Sequence, residues 1–153
     1  MIYQTDPLMG KYYNKYGCLF TSIAYARELL RGHVWTASDL RSKWDESIAK
    51  GAITGDLNGD GDMDDPGELV INDHDAVCRI LFVDLAYIPG HHNPDTAIDD
   101  KTYAVGAFFN PRTNFTHFAA VGRDKKVIFD PIKGGSVTCR EGYLKSLRLY
   151  SIL

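Results

Sequence analysis

The stretch Tyr16-Gly17-Cys18-Leu19-Phe20-Thr21-Ser22-Ile23-Ala24 sets a cysteine at the first turn of an apolar helix. Leu19, Ile23, Ala26 and Leu30 recur at helical spacing, with Phe20 and Ala24 beside them, and Gly32 supplies a stop. The start of a helix carries roughly half a positive charge from aligned peptide dipoles and unpaired N–H groups. That field favours thiolate over thiol, and the thiolate is the nucleophile. A cysteine so placed does chemistry only with a base, a group to orient the base, and donors for an oxyanion.

Upstream, residues 1–17 hold Pro7, Gly10 and Gly17 among tyrosines and read as an extended piece and loop. Downstream, a second helix is predicted over 38–50, capped by Ser38 or Thr36, striped by Leu40, Trp44 and Ile48, and ended by Gly51. Asn72 or Asp73 caps a third helix carrying Val77, Ile80 and Leu81. Residues 89–100 are loop by composition. Strands are predicted over 103–109, 117–121, 127–130 and 147–152, with turns at 122–125 and 133–136. Helices first and an antiparallel sheet after define an α+β layout rather than alternating βαβ units. We read residues 1–153 as one domain.

Composition excludes several classes. The chain has 153 residues, 44% hydrophobic, 24% charged, with net charge -3, and carries no Lys/Arg stripe for nucleic acid. No apolar run approaches the roughly 20 residues needed to span a bilayer. The first residues lack the basic-then-apolar pattern of a secretory signal, so synthesis in the cytoplasm is expected. Cys18, Cys78 and Cys139 are an odd number without close pairing, and no disulfide framework is expected. Cys78 and Cys139 read as packing residues.

The base and its orienter lie on the strands. Thr116-His117-Phe118-Ala119-Ala120-Val121-Gly122 opens an apolar strand with a histidine, and Phe129-Asp130-Pro131 ends the next. A four-residue loop at 122–125 would pair Val121 with Lys126, Ala119 with Ile128 and His117 with Asp130. Directly opposed residues have Cβ atoms about 5 Å apart. Asp130 would then hold one imidazole nitrogen while the other faces the thiolate. A one-residue slip would turn these side chains to opposite faces.

Taken together, Gln4-Thr5-Asp6-Pro7, Tyr16-Gly17-Cys18, His117-Phe118 and Asp130-Pro131 with Gly134-Gly135 resemble the papain-like cysteine peptidases. The similar group is that of the bacteriocin leader-peptide peptidases, with phage-associated cell-wall hydrolases (endolysins). The resemblance implies a papain-like fold, with N-terminal helices packed on a C-terminal antiparallel sheet. It implies Cys18 as nucleophile, His117 as general base and acid, and Asp130 as orienter. Gln4 would be the side-chain oxyanion donor beside the Cys18 backbone N–H. This chain departs from the pattern in two places: the Gln4 to Cys18 separation is long, and Leu8-Met9 stands where a tryptophan is usual. Asn14 is an alternative source of the oxyanion amide.

Asp56-Leu57-Asn58-Gly59-Asp60-Gly61-Asp62-Met63-Asp64 fits the start of an EF-hand-type calcium loop. Oxygens at Asp56, Asn58 and Asp60, glycine at position 6, the Asp62 carbonyl and Asp64 are what that loop requires. Position 12 is Gly67, and the closing carboxylate arrives one residue late as Glu68, after Pro66. Asp65 or Glu68 would complete the shell of this loop, inserted at about 56–68. Calcium in a structural role is the expected cofactor. His91-His92 lacks a third ligand at metal spacing and reads as solvated loop. The resemblance implies a cysteine peptidase or amidase, foremost a phage-type peptidoglycan hydrolase (endolysin) acting at the cell wall after release. The alternatives are a peptide-processing peptidase or toxin, and a non-catalytic calcium-dependent binding module.

Overall fold

The computed structural model describes residues 1–153. The chain builds five helices and a five-stranded sheet, in the order α1 (Lys11–Tyr16), α2 (Cys18–Arg31), α3 (Ala37–Ala49), α4 (His74–Ile80), β1 (Leu85–His92), β2 (Thr102–Asn110), β3 (Phe115–Val121), β4 (Val127–Phe129), α5 (Val137–Glu141) and β5 (Tyr143–Ile152). The sheet order is β1-β5-β2-β3-β4, and every neighbouring pair is antiparallel. The α+β class follows directly from the sequence pattern. No helix is long and apolar enough to cross a membrane.

The helices begin and end for local reasons. α2 stops at Gly32, which sits left-handed at φ 67° and gives its N–H to the Glu28 carbonyl. Thr36 caps α3 by accepting from the Asp39 N–H, and Asp73 caps α4 by accepting from the Ala76 N–H. α2 lays Phe20, Ile23 and Ala24 against the sheet, packing chiefly on β3. Phe20 also meets Trp44 of α3 edge to face at 5.3 Å, and Tyr13 meets Trp44 at 5.0 Å. On the other face, Phe108, Ala119, Val121, Leu147 and Leu149 pack under Ile98. Burial on both faces is why β2 reads as a continuous apolar run rather than an alternating one.

Three segments correct the expectation. Residues 1–17 are not simple loop. Asp6 caps a 3₁₀ turn at Pro7–Met9, and α1 then buries Tyr13. Residues 89–92 belong to β1 rather than to a loop. β1 is an edge strand whose ladder breaks between Ile88 and His92, where Pro89 needs no partner for a missing N–H. α5 is five residues long, too short for a 3.6-residue period to register, and is capped by Ser136.

The β3–β4 hairpin is also re-registered. Val121 pairs with Val127, and Ala120 with Phe129, with a bulge between them. Lys125 takes the left-handed φ of 66° and gives its N–H to the Gly122 carbonyl, which fits one more residue into the turn than expected. The turn adds one residue of slip and the bulge another. A single slip reverses the facing of β4, and a second restores it. Continued one step, this register would put Asp130 opposite Ala119, diagonal to His117 on the same face.

Candidate active site

A cleft of about 810 Å³ lies between the helical half and the sheet. Cys18 at the start of α2, His117 near the start of β3, and Gln4 of the N-terminal segment all line it. His117 is buried, and its Nε2 lies 2.7 Å from Asp130 Oδ1. The His117–Asp130 contact foreseen from sequence is therefore present, reached by a diagonal rather than by direct opposition.

Asp130 is held from three sides. Its Oδ1 also accepts the Ile132 N–H at 2.9 Å, and its Oδ2 accepts the Ser136 N–H at 2.8 Å. Burial would raise its carboxyl; the His117 contact and these two N–H donors overcome that and hold it below the usual carboxylate range. His117 balances the same forces with opposite sign. Burial opposes its charge, but Asp130 and the Cys18 sulfur beside the ring raise it to about 9. With Nε2 committed to Asp130, Nδ1 is the nitrogen left to Cys18. The arrangement is an imidazolium held between a carboxylate and a sulfur.

The long Gln4 to Cys18 separation is bridged by a fold-back that Asn14 pins. Asn14 Nδ2 donates to the carbonyls of Gln4 at 2.6 Å and Asp6 at 2.9 Å. Gln4 N–H reaches the Pro131 carbonyl at 2.8 Å, tying the segment to the residue after Asp130. Gln4 Nε2 gives one N–H to the Asn14 carbonyl at 2.9 Å and keeps a second. Its Oε1 is buried without a partner. The Asn14 amide is thus spent on the backbone, whereas Gln4 retains a free donor.

Two site features were missed in the sequence. Cys139 packs against the Phe108 and Leu147 cluster, as a packing residue does, and its sulfur also lies with ligand atoms of His117 and Asp130 in a group spanning no more than 4.8 Å. Burial pushes its thiol up to about 12, as it does for Cys78 in the core. Arg148 also lines the cleft, from the middle of β5. The only signal for it was a lone cation inside the apolar run Leu147-Arg148-Leu149-Tyr150.

The acidic loop forms the opposite wall of the cleft through Asp64, Asp65 and Glu68. Its first half has the expected turns: Asp56 accepts from the Gly59 and Gly61 N–H groups, Asn58 from Asp60, Asp60 from Asp62, and Asp62 from Asp64. In the second half, Asp64 and Glu68 of the expected set make other contacts. Asp64 accepts from Lys15 Nζ at 3.1 Å and Tyr16 Oη at 2.8 Å, which turns it toward α1. Glu68 is buried and accepts the N–H groups of Leu57 at 2.6 Å and Asp65 at 2.9 Å, closing the loop from within. Asp65 takes the inward place, 2.8 Å from Asn58 Nδ2 and beside Asp60. His92 is not loop but strand end, its Nε2 3.0 Å from the Ile88 carbonyl, and His91 faces the cleft.

No family model matches the sequence, and no curated protein or solved structure matches it either.

Proposed function

We propose that the chain is a papain-like cysteine hydrolase that cleaves peptide-type amide bonds. The observation that carries this reading is the 2.7 Å contact between His117 and Asp130 in the cleft where Cys18 starts α2. In this reading the Cys18 thiolate attacks the scissile carbonyl carbon while His117 holds the proton. The Cys18 N–H and the second N–H of Gln4 Nε2 receive the oxyanion. His117 then protonates the leaving amine as the C–N bond breaks, leaving a thioester on Cys18. Neutral His117 next takes a proton from water, whose oxygen attacks the thioester. The acid product leaves, and Cys18 is regenerated.

The particular reading is a phage-type peptidoglycan hydrolase, an endolysin acting at the cell wall. It rests on the resemblance of Gln4-Thr5-Asp6-Pro7, Gly17-Cys18, His117-Phe118 and Asp130-Pro131 to that group. A processing peptidase would use the same chemistry on another substrate. The deciding experiment is mass spectrometry of fragments released from purified peptidoglycan. Native chain should release peptides with new termini, and Cys18→Ala should release none. Release by both chains, or by neither while a free peptide is cut, would overturn the endolysin reading.

Calcium is proposed as a structural ion of the acidic loop. Asp60 and Asp65 lie side by side there, bridged only by the Asn58 amide, while the nearby Lys15 is committed to Asp64. Asp56, Asn58, Asp60 and Asp65 would hold the ion, which would offset their mutual repulsion. A non-catalytic calcium-dependent binding module is the rival that an inert Cys18 would favour.

A further inference from the structure

Of the two Lys and Arg side chains that line the cleft, Lys15 is paired with Asp64 and Arg148 has no carboxylate partner. It is 7% exposed, although arginine is almost never buried without a partner. None of the chain's salt bridges includes it. Its one hydrogen bond runs from Nη1 to Ser146 Oγ at 3.0 Å. Nε and Nη2 have no hydrogen-bond partner in the chain and are not sealed off from solvent, and Arg148 lines the cleft. The guanidinium stands 5.4 Å from the Phe118 ring, the residue next to His117. Its other neighbours are neutral: the Tyr87 and Tyr150 hydroxyls, and His74, whose imidazolium burial and Arg148 push down to about 4.

The opposite wall differs in this respect. Asp64 is satisfied by Lys15 and Tyr16, and Glu68 by two backbone N–H groups. Asp65, which takes only the Asn58 amide, belongs to the acidic loop; the unpaired cation of the cleft is Arg148, a planar, two-pronged donor suited to a carboxylate.

We propose that Arg148 is an anion subsite of the cleft and that the chain's substrate is a peptide presenting a carboxylate to it. The proposal rests on the cleft being the substrate cleft of the proposed hydrolase. Arg148 would fix the register of the peptide relative to Cys18 by pairing with a side-chain or terminal carboxylate. A neutral isostere would leave the guanidinium unpaired and lose affinity.

The test uses full-length Cys18→Ala and N-acetyl oligoglycines of one to four residues, each as free acid and as C-terminal amide. Binding is read from the NMR signal of the Arg148 Nε–H group and from chain resonances around the cleft. At the length that reaches Arg148 the acid should bind about tenfold more tightly than the amide, the size of one charge-assisted hydrogen bond. Arg148→Gln should abolish that preference. Arg148→Lys, which keeps the cation without the planar fork, should lower it and guards against a Gln variant that does not fold. Equal affinities at every length, or an acid preference that survives Arg148→Gln, would overturn the subsite. Alkylation of Cys18 is measured separately on the native chain. An acid preference with an inert Cys18 would sink the hydrolase and keep the anion site.

Discussion

His117 carries its charge against its surroundings, and that makes the residue testable. Asp130 and the Cys18 sulfur outweigh the burial that opposes it, raising its pKa from 6.5 to about 9. The folded chain then holds a proton that the unfolded chain releases earlier, so stability depends on pH. This contribution is complete below about pH 6.5 and is lost as pH rises through about 9. Asp130, lowered by the same contact, contributes above its ordinary value of 3.8, and that part is lost as pH falls below it. Thermal melts across this range should show a midpoint that declines from neutral pH to about 9. Asp130→Asn should shrink the decline, because a neutral acceptor no longer offsets the burial of the imidazolium. An undiminished decline would take Asp130 out of that role. The thiols offer a second check. Burial holds Cys78 and Cys139 near 12, so iodoacetamide near neutral pH should label Cys18 at least about tenfold faster than either. Equal labelling of the three would count against a nucleophile at Cys18.

At the scale of elements, the approach to Cys18 leaves no room for a side chain at Gly17. A Cβ there would lie 2.7 Å from the Tyr13 carbonyl oxygen and 2.9 Å from its ring, and Tyr13 is wedged against Phe20 and Trp44. Gly17→Ala should therefore cost about 1–3 kcal/mol in urea melts, as overpacking does, and should depress hydrolysis by moving the start of α2. Asn14 tests the fold-back in a different way. Asn14→Ala deletes two hydrogen bonds worth about 1 kcal/mol each and frees Gln4, so kcat should fall while Cys18 labelling persists. These elements were unequally legible. α2, α3 and α4 announce themselves through caps and apolar stripes. α1 and α5, with six and five residues, are too short for a period to show. β1 was hidden because Pro89 and Gly90 read as a turn, and only its place at the sheet edge makes them tolerable. The hairpin was visible but its register was not, since a left-handed Lys125 and a bulge leave no residue-type signature.

Over the whole molecule, the sequence made the α+β order and the Cys18, His117 and Asp130 set readable, because each sits at an element boundary with its own local cue. Arg148 was obscured because its meaning comes from the partners it lacks, which no local window contains. The contacts of Asp64 were hidden for a related reason: its partners Lys15 and Tyr16 lie 49 and 48 residues away. That contact joins the acidic loop to α1, and α1 ends one residue before Gly17 and Cys18. The acidic loop and Cys18 are thus linked through α1. If calcium binds Asp56, Asn58, Asp60 and Asp65, the folded chain gains about 2.7 kcal/mol at one hundred times the dissociation constant. The midpoint of thermal unfolding should then rise with calcium, and Asp60→Asn should remove most of the rise. Asp64→Asn separates coupling from binding. It leaves the four inward side chains intact but weakens the bridge to Lys15, so the calcium-dependent rise should persist while any effect of calcium on Cys18 alkylation fades. A midpoint indifferent to saturating calcium would refute the ion. A rise that vanishes in Asp64→Asn but survives in Asp60→Asn would return Asp64 to the ligand set and make the contact with α1 incidental.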